Sequence, residues 1–125
     1  MAQVQVQEDP DREERITMEA IVDAYGSEEQ AMGWYYYLDD KITFPFQAKC
    51  IQARKVSPLK LGEVVEVTAM APADDCEREM FVLIRWVDRE LAVPLVQLEG
   101  IDVDDETEEA IADWHYWMAR GYELG

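Results

Sequence analysis

One histidine and two cysteines are the only imidazole and thiol groups in these 125 residues. Zinc sites usually take four nitrogen or sulfur ligands, so His115, Cys50 and Cys76 make a poor transition-metal set. Bases are scarce as well: 11 lysines and arginines stand against 28 aspartates and glutamates, a formal charge of −17. A field of that sign repels nucleic acid and anionic lipid head groups. No apolar run approaches the roughly 18 residues of a membrane span. The opening Met-Ala-Gln-Val-Gln-Val-Gln lacks the basic flank and apolar core of a secretory signal. The expectation is therefore a soluble, cytoplasmic chain with no membrane partner and both cysteines reduced. Catalytic signatures are missing too. There is no Gly-rich phosphate loop and no H-E-x-x-H, and one histidine leaves Ser27 and Ser57 without an obvious base. Paired acids alone give no cleft signal for glycoside chemistry. The chain does not read as an enzyme.

What is present is apolar bulk and acid. Hydrophobic residues make up 49% of the chain, with four Trp, six Tyr and three Phe. That excludes a disordered acidic tail and fits one domain with a real core. The acids are unevenly placed. Residues 8–29 carry nine acids and two bases, and residues 99–113 carry eight acids and no base. Residues 43–71 are mildly basic, with Lys49, Arg54, Lys55 and Lys60 against Glu63 and Glu66. Such a charge favours a cation or a basic protein surface as partner.

Periodicity predicts a loose tail over 1–10 and a helical segment over 11–41. Asp11 is a candidate cap for a helix over 12–25, closed by Gly26. Ser27 with Gln30 has the spacing of a capping box for a second helix. That helix, running to Asp39-Asp40-Lys41, is apolar on nearly every side and should be buried on more than one face. Strand patterns then follow over 46–54, 61–67, 80–87 and 91–93. A loop is expected over 72–79, a tight turn at Asp88-Arg89-Glu90, a short helical turn at 94–98, and a last strand at 100–103. Short strands at this spacing suggest a small barrel over 43–103. A final helix over 104–121 is predicted from the Asp105/Glu108 spacing, with Ile111, Trp114, Trp117, Met118 and Gly121 as its apolar stripe. The fold class is α+β: a small SH3-like β-barrel flanked by two N-terminal helices and one C-terminal helix.

Several separated segments carry a family resemblance. They are Trp34-Tyr35-Tyr36-Tyr37-Leu38-Asp39-Asp40, Phe44-Pro45-Phe46, Leu59-x-Leu61-Gly62-x-Val64-Val65-x-Val67, Arg85-Trp86, Leu91-Ala92-Val93-Pro94-Leu95-x-Gln97-Leu98 and Ala112-Asp113-Trp114-His115-Tyr116-Trp117. Together they resemble the small acidic calcium-binding proteins of cyanobacteria, over roughly residues 15–124. The resemblance implies Ca2+ bound by surface carboxylates in a cytosolic buffer or sensor, without an EF-hand.

The residues themselves offer three acidic clusters for such an ion. Calcium takes six to eight oxygens from carboxylates, carbonyls and waters. Asp39 and Asp40 close a helix, where the last carbonyls lack intrahelical partners and carry partial negative charge. Thr43 adds an oxygen nearby. The preferred site joins these three to Asp74, Asp75 and Glu77 of the 72–79 loop. A weaker second patch lies over Asp102, Asp104, Asp105 and Glu106. The segment from Asp102 to Asp113 is not an EF-hand, because Thr107 stands where the sixth-position Gly is required and Asp113 replaces the twelfth-position Glu. The alternatives are that Asp39-Asp40 only ends a helix, that Asp74-Asp75 is turn chemistry, and that the third cluster caps a helix. The acids from Glu8 to Glu14 read as a solvated face, and His115 as structural. The competing function is an acidic interaction module, or a DNA mimic, that binds a basic partner.

Overall fold

The computed structural model describes residues 8–55, 57–122 and 124; most of the expected tail thus lies outside the described residues. Helix α1 (Pro10–Arg15) is capped by Asp9, whose carboxylate accepts from the Arg12 N–H at 3.2 Å. Pro10 costs nothing there, because the first helical N–H has no partner to lose. Asp11 is thus not the cap but lies in the first turn. The expected α-helix over 12–25 is also interrupted. From Ile16 to Ala20 the backbone widens into a π-helical turn, with the Ile21 N–H reaching the Ile16 carbonyl at 3.0 Å. Ile16 and Ala20 face the core, while Met18 and Val22 stay in solvent. The chain leaves the helical path at Ile21, before Gly26.

Gly26 instead occupies the N-cap of α2 (Ser27–Lys41). Ser27 is already the first helical residue and, among the described residues, no side chain caps the end, so the Ser27/Gln30 box does not form. Ala31, Trp34, Tyr37 and Leu38 are buried, and Tyr36 lies outside. Among the described residues the strands are β1 (Phe46–Cys50), β2 (Val64–Met70), β3 (Phe81–Trp86), β4 (Arg89–Pro94) and β5 (Leu98–Ile101). They form one antiparallel sheet in the order β4-β3-β2-β1-β5. β1 alternates, with Phe46, Ala48 and Cys50 inward, and ends four residues short of the expected Arg54. The tight turn falls at residues 87–88, since Arg89 and Glu90 already pair with Trp86 and Arg85. The sheet is open: among the described residues no strand pairing joins β4 to β5, which are linked by a 3₁₀ turn at Leu95–Gln97.

The 72–79 loop contains a second 3₁₀ turn, Ala73–Cys76, which carries Cys76 into the core. Cys76 is therefore a core thiol like Cys50, and both are free, as expected for reduced cysteines. Helix α3 (Asp105–Ala119) is capped by Asp104, one residue ahead of the expected Asp105. Trp114 and Trp117 pack on Trp34 with ring centroids 5.1 and 5.6 Å apart, joining α3 to α2. Tilted and edge-on aromatic pairs of this kind add roughly 0.5–1.5 kcal/mol beyond the area they bury. The core therefore lies between the helices and one face of the sheet.

Candidate cation site

The C-terminus of α2 and the N-terminus of α3 meet through a short bridge. The Thr43 N–H donates to the Thr107 hydroxyl at 2.9 Å, and the Thr107 N–H donates to Asp104 Oδ1 at 2.7 Å. Those bonds place Asp40 and Thr43 around one cavity of about 400 Å³ with Asp104, Asp105 and Glu106. All five are exposed at its rim. The Asp104 carboxyl is held below the usual carboxylate range, chiefly by the Thr107 N–H and then by the Thr107 and Thr43 hydroxyls. It therefore presents a fixed anion that needs no proton removed before a cation arrives.

The electrostatics of the two helix ends differ. The α2 terminus carries partial negative charge and welcomes a cation, while the α3 terminus stabilises the acids themselves. Among the described residues the base at the rim is Lys41. Its ammonium lies 4.0 Å from Glu19 on the π-helical turn, an exposed contact worth little. As donors, exposed carboxylates, a hydroxyl and the carbonyls of a helix C-terminus fit a hard cation that takes oxygens and water. Among the described residues no three Asp, Glu, His or Cys side chains already stand grouped around a point that could hold a metal. An ion here would be completed by carbonyls, water and side-chain movement.

The other expected site residues lie elsewhere. Asp74 and Glu77 line a separate cavity of about 420 Å³ beside Glu28 and Tyr35, at the opposite end of α2 from Asp40. Asp75 acts on the Cys76 thiol, whose pKa is raised mainly by burial. Asp39 acts on the Tyr35 hydroxyl, again raised chiefly by burial. Asp102 has a left-handed backbone (φ 52) and lines a groove with Glu66 and Gln47, next to the 104–106 cavity through the shared Thr43 and Asp104. Glu79, outside the clusters, pairs with Arg54.

Sequence reasoning missed the residue that holds this half of the molecule together. Asp113 is fully buried and accepts from Arg12 at 2.6 Å, from Arg15 at 2.7 and 3.0 Å, and from the Tyr37 hydroxyl at 2.8 Å. The available signal was that Arg12 and Arg15 are the only bases among the nine acids of residues 8–29. Glu13 is likewise engaged, by the Tyr116 hydroxyl at 2.8 Å, so the 8–14 acids are not simply a solvated face.

A protein-family model described as calcium binding, of the CcbP type, matches residues 14–118. The chain belongs to this calcium-binding family. Two solved structures agree. The crystal structure of Anabaena CcbP is 48% identical, with a TM-score of 0.85, over 96% of this chain and 98% of that one. A calcium binding protein in its calcium-binding form is also 48% identical, with a TM-score of 0.82, over 91% and 94%. No protein of curated function matches. The CcbP-type family is one of calcium-binding proteins and not a family of enzymes. No helix among the described residues is long and apolar enough to cross a membrane.

Proposed function

We propose that this protein binds calcium as a cytosolic buffer or sensor, through exposed carboxylates rather than an EF-hand or a catalytic centre. The observation that carries the siting is the shared cavity of Asp40, Thr43, Asp104, Asp105 and Glu106 at the facing ends of α2 and α3. Family membership over residues 14–118 supports the choice of ion. Asp102 flanks this site in the adjoining groove, Asp39 precedes Asp40 in the chain, and Asp74, Asp75 and Glu77 form a separate, weaker place for cations. Exposed sites of this kind bind with Kd on the order of 10⁻⁶ to 10⁻⁴ M. Each bound ion also relieves part of the self-repulsion of a chain of charge −17.

We read the architecture as one domain on an SH3-like barrel. Three features support this: the strand order, the 3₁₀ turn between the last two strands, and the register shift in β2 between Val67 and Ala69 that helps a sheet coil.

The test is a calorimetric calcium titration of chelator-treated protein in about 0.1 M salt, which screens diffuse charge, with magnesium in excess. Saturation at one or two ions per chain is expected. Heats that never saturate and vanish in magnesium would refute specific sites.

A further inference from the structure

The N-terminal segment over residues 10–25, here the strap, and α2 leave a furrow on the outside of the molecule. Its floor exists because Gly33 has no side chain: the Ala20 carbonyl oxygen lies 2.3 Å from where a Cβ would stand. The furrow is a shallow depression of about 490 Å³, with Val22 on one side and Tyr36 on the other. These two side chains are 52% and 62% exposed, and Met18 and Tyr25 of the same strap segment are 63% and 87% exposed. Four large apolar side chains held in water on one short stretch and its neighbour are a surface that contact would cover. Acids surround them: Glu19 and Asp40 line the furrow, and Asp23 is exposed between Val22 and Tyr25. Lys41, the base lining it among the described residues, lies 4.0 Å from Glu19.

We infer that this furrow docks a basic amphipathic peptide segment of a partner protein, with apolar anchors on Val22 and Tyr36 and cationic side chains on Glu19 and Asp40. Charge complementarity selects that occupant. A second copy of this chain would bring another −17 to an already acidic face, and like-charge juxtaposition opposes association. Asp40 lines both the furrow and the cation cavity. Resting on the calcium reading, the same geometry makes the two ligands antagonists: an ion on Asp40 removes the charge that a peptide lysine uses. Linkage then requires the peptide to weaken calcium by the same factor.

The probe is a rhodamine-labelled helical peptide of about 18 leucines and lysines with one apolar face, titrated with the full chain by anisotropy. A serine–lysine peptide of equal charge is the control. In chelator the leucine–lysine peptide is expected to bind, and the Val22→Ser/Tyr36→Ser double variant to bind it about tenfold more weakly, as loss of central apolar anchors does. Both substitutions are at exposed positions, and an unchanged circular dichroism melt verifies the fold. Equal binding of the serine–lysine peptide, or no loss in the double variant, overturns the docking site. Calcium that saturates its own isotherm yet leaves peptide affinity unchanged overturns the antagonism. A chain that binds the peptide through Val22 and Tyr36 but gives no saturable calcium isotherm upholds the docking site and refutes the calcium reading instead.

Discussion

Arg15 and Asp113, 98 residues apart, face each other fork to fork: Nε donates to Oδ2 at 3.0 Å and Nη2 to Oδ1 at 2.7 Å. Arg12 and the Tyr37 hydroxyl complete the shell of the same buried carboxylate. The phenol is correspondingly held in its protonated form, its pKa raised by burial first and by Asp113 second. One side chain of α3 thus ties α1 and α2 together. Asp113→Asn keeps the shape and removes the charge. Breaking a buried ion pair costs about 3–5 kcal/mol, but the two arginine side chains are 25% and 22% exposed and can rehydrate. A loss of roughly 2–3 kcal/mol is therefore expected. Urea denaturation measures it, and amide exchange should rise first at residues 10–21. A variant as stable as the parent would mean that Ile16, Ala20 and the Tyr116 contacts to Asp9 and Glu13 hold this segment without the ion pair.

The long elements were legible in the sequence because their periods are strong. α2 was readable from its nearly continuous aromatic and apolar run, α3 from its apolar stripe, and the hairpin of β3 and β4 from an apolar run followed by the turn residues at 88–90. What was not legible depends on distant atoms. The helix caps fell one or two residues from their expected places because Asp9, Gly26 and Asp104 take the capping geometry from neighbouring acids or serine. Nothing local to Ile16–Ala20 announces a π-helical turn. Asp39-Asp40 was readable as a cation-friendly helix end, but its companion was not. Asp40 meets 104–106 because Thr43 hydrogen-bonds Thr107, 64 residues away, and no spacing rule encodes that bond.

Gly33 gives a prediction of inverted sign. Alanine at a mid-helix glycine ordinarily stabilises by about 1 kcal/mol. In Gly33→Ala the new Cβ would lie 2.3 Å from the Ala20 carbonyl oxygen, a backbone atom that cannot rotate away. The strap must shift, and a net loss of roughly 1–3 kcal/mol is expected, as in other overpacked sites. A thermal melt of the variant checks it; a rise in melting temperature would show that the strap yields freely.

His115 sets a pH dependence. Burial pushes its pKa below the ordinary 6.5, against the backbone carbonyls of Leu95 and Leu98 and the charge of Glu99, which all pull it up. The folded chain therefore prefers the neutral ring, and the unfolded chain binds the proton first as pH falls. Stability should be full above about pH 6.5 and decline below it until the folded-state pKa is reached, by at most about 1.4 kcal/mol per pH unit. Urea midpoints between pH 7.5 and 5.5 measure this. In His115→Gln that slope should flatten; an unchanged slope would assign it to other groups.

Asp104 has two separable duties, and two substitutions divide them. As an N-cap it accepts from the Thr107 N–H at 2.7 Å, a role that asparagine performs about as well and alanine does not, at a cost of about 1 kcal/mol. As a candidate calcium ligand it contributes charge, which both substitutions remove. Asp104→Asn should therefore leave the calcium-free melt nearly unchanged while weakening calcium about tenfold or more, the scale of one lost ligand charge in a carboxylate site. Asp104→Ala should weaken calcium similarly and also lower the calcium-free melting temperature. Asp74→Asn, on the separate cavity beside Glu28, should leave the tighter isotherm intact. If Asp74→Asn instead abolished that isotherm and Asp104→Asn did not, the tighter ion would belong at the 72–79 loop. The meeting of α2 and α3 would then be a structural joint held by Thr43 and Thr107.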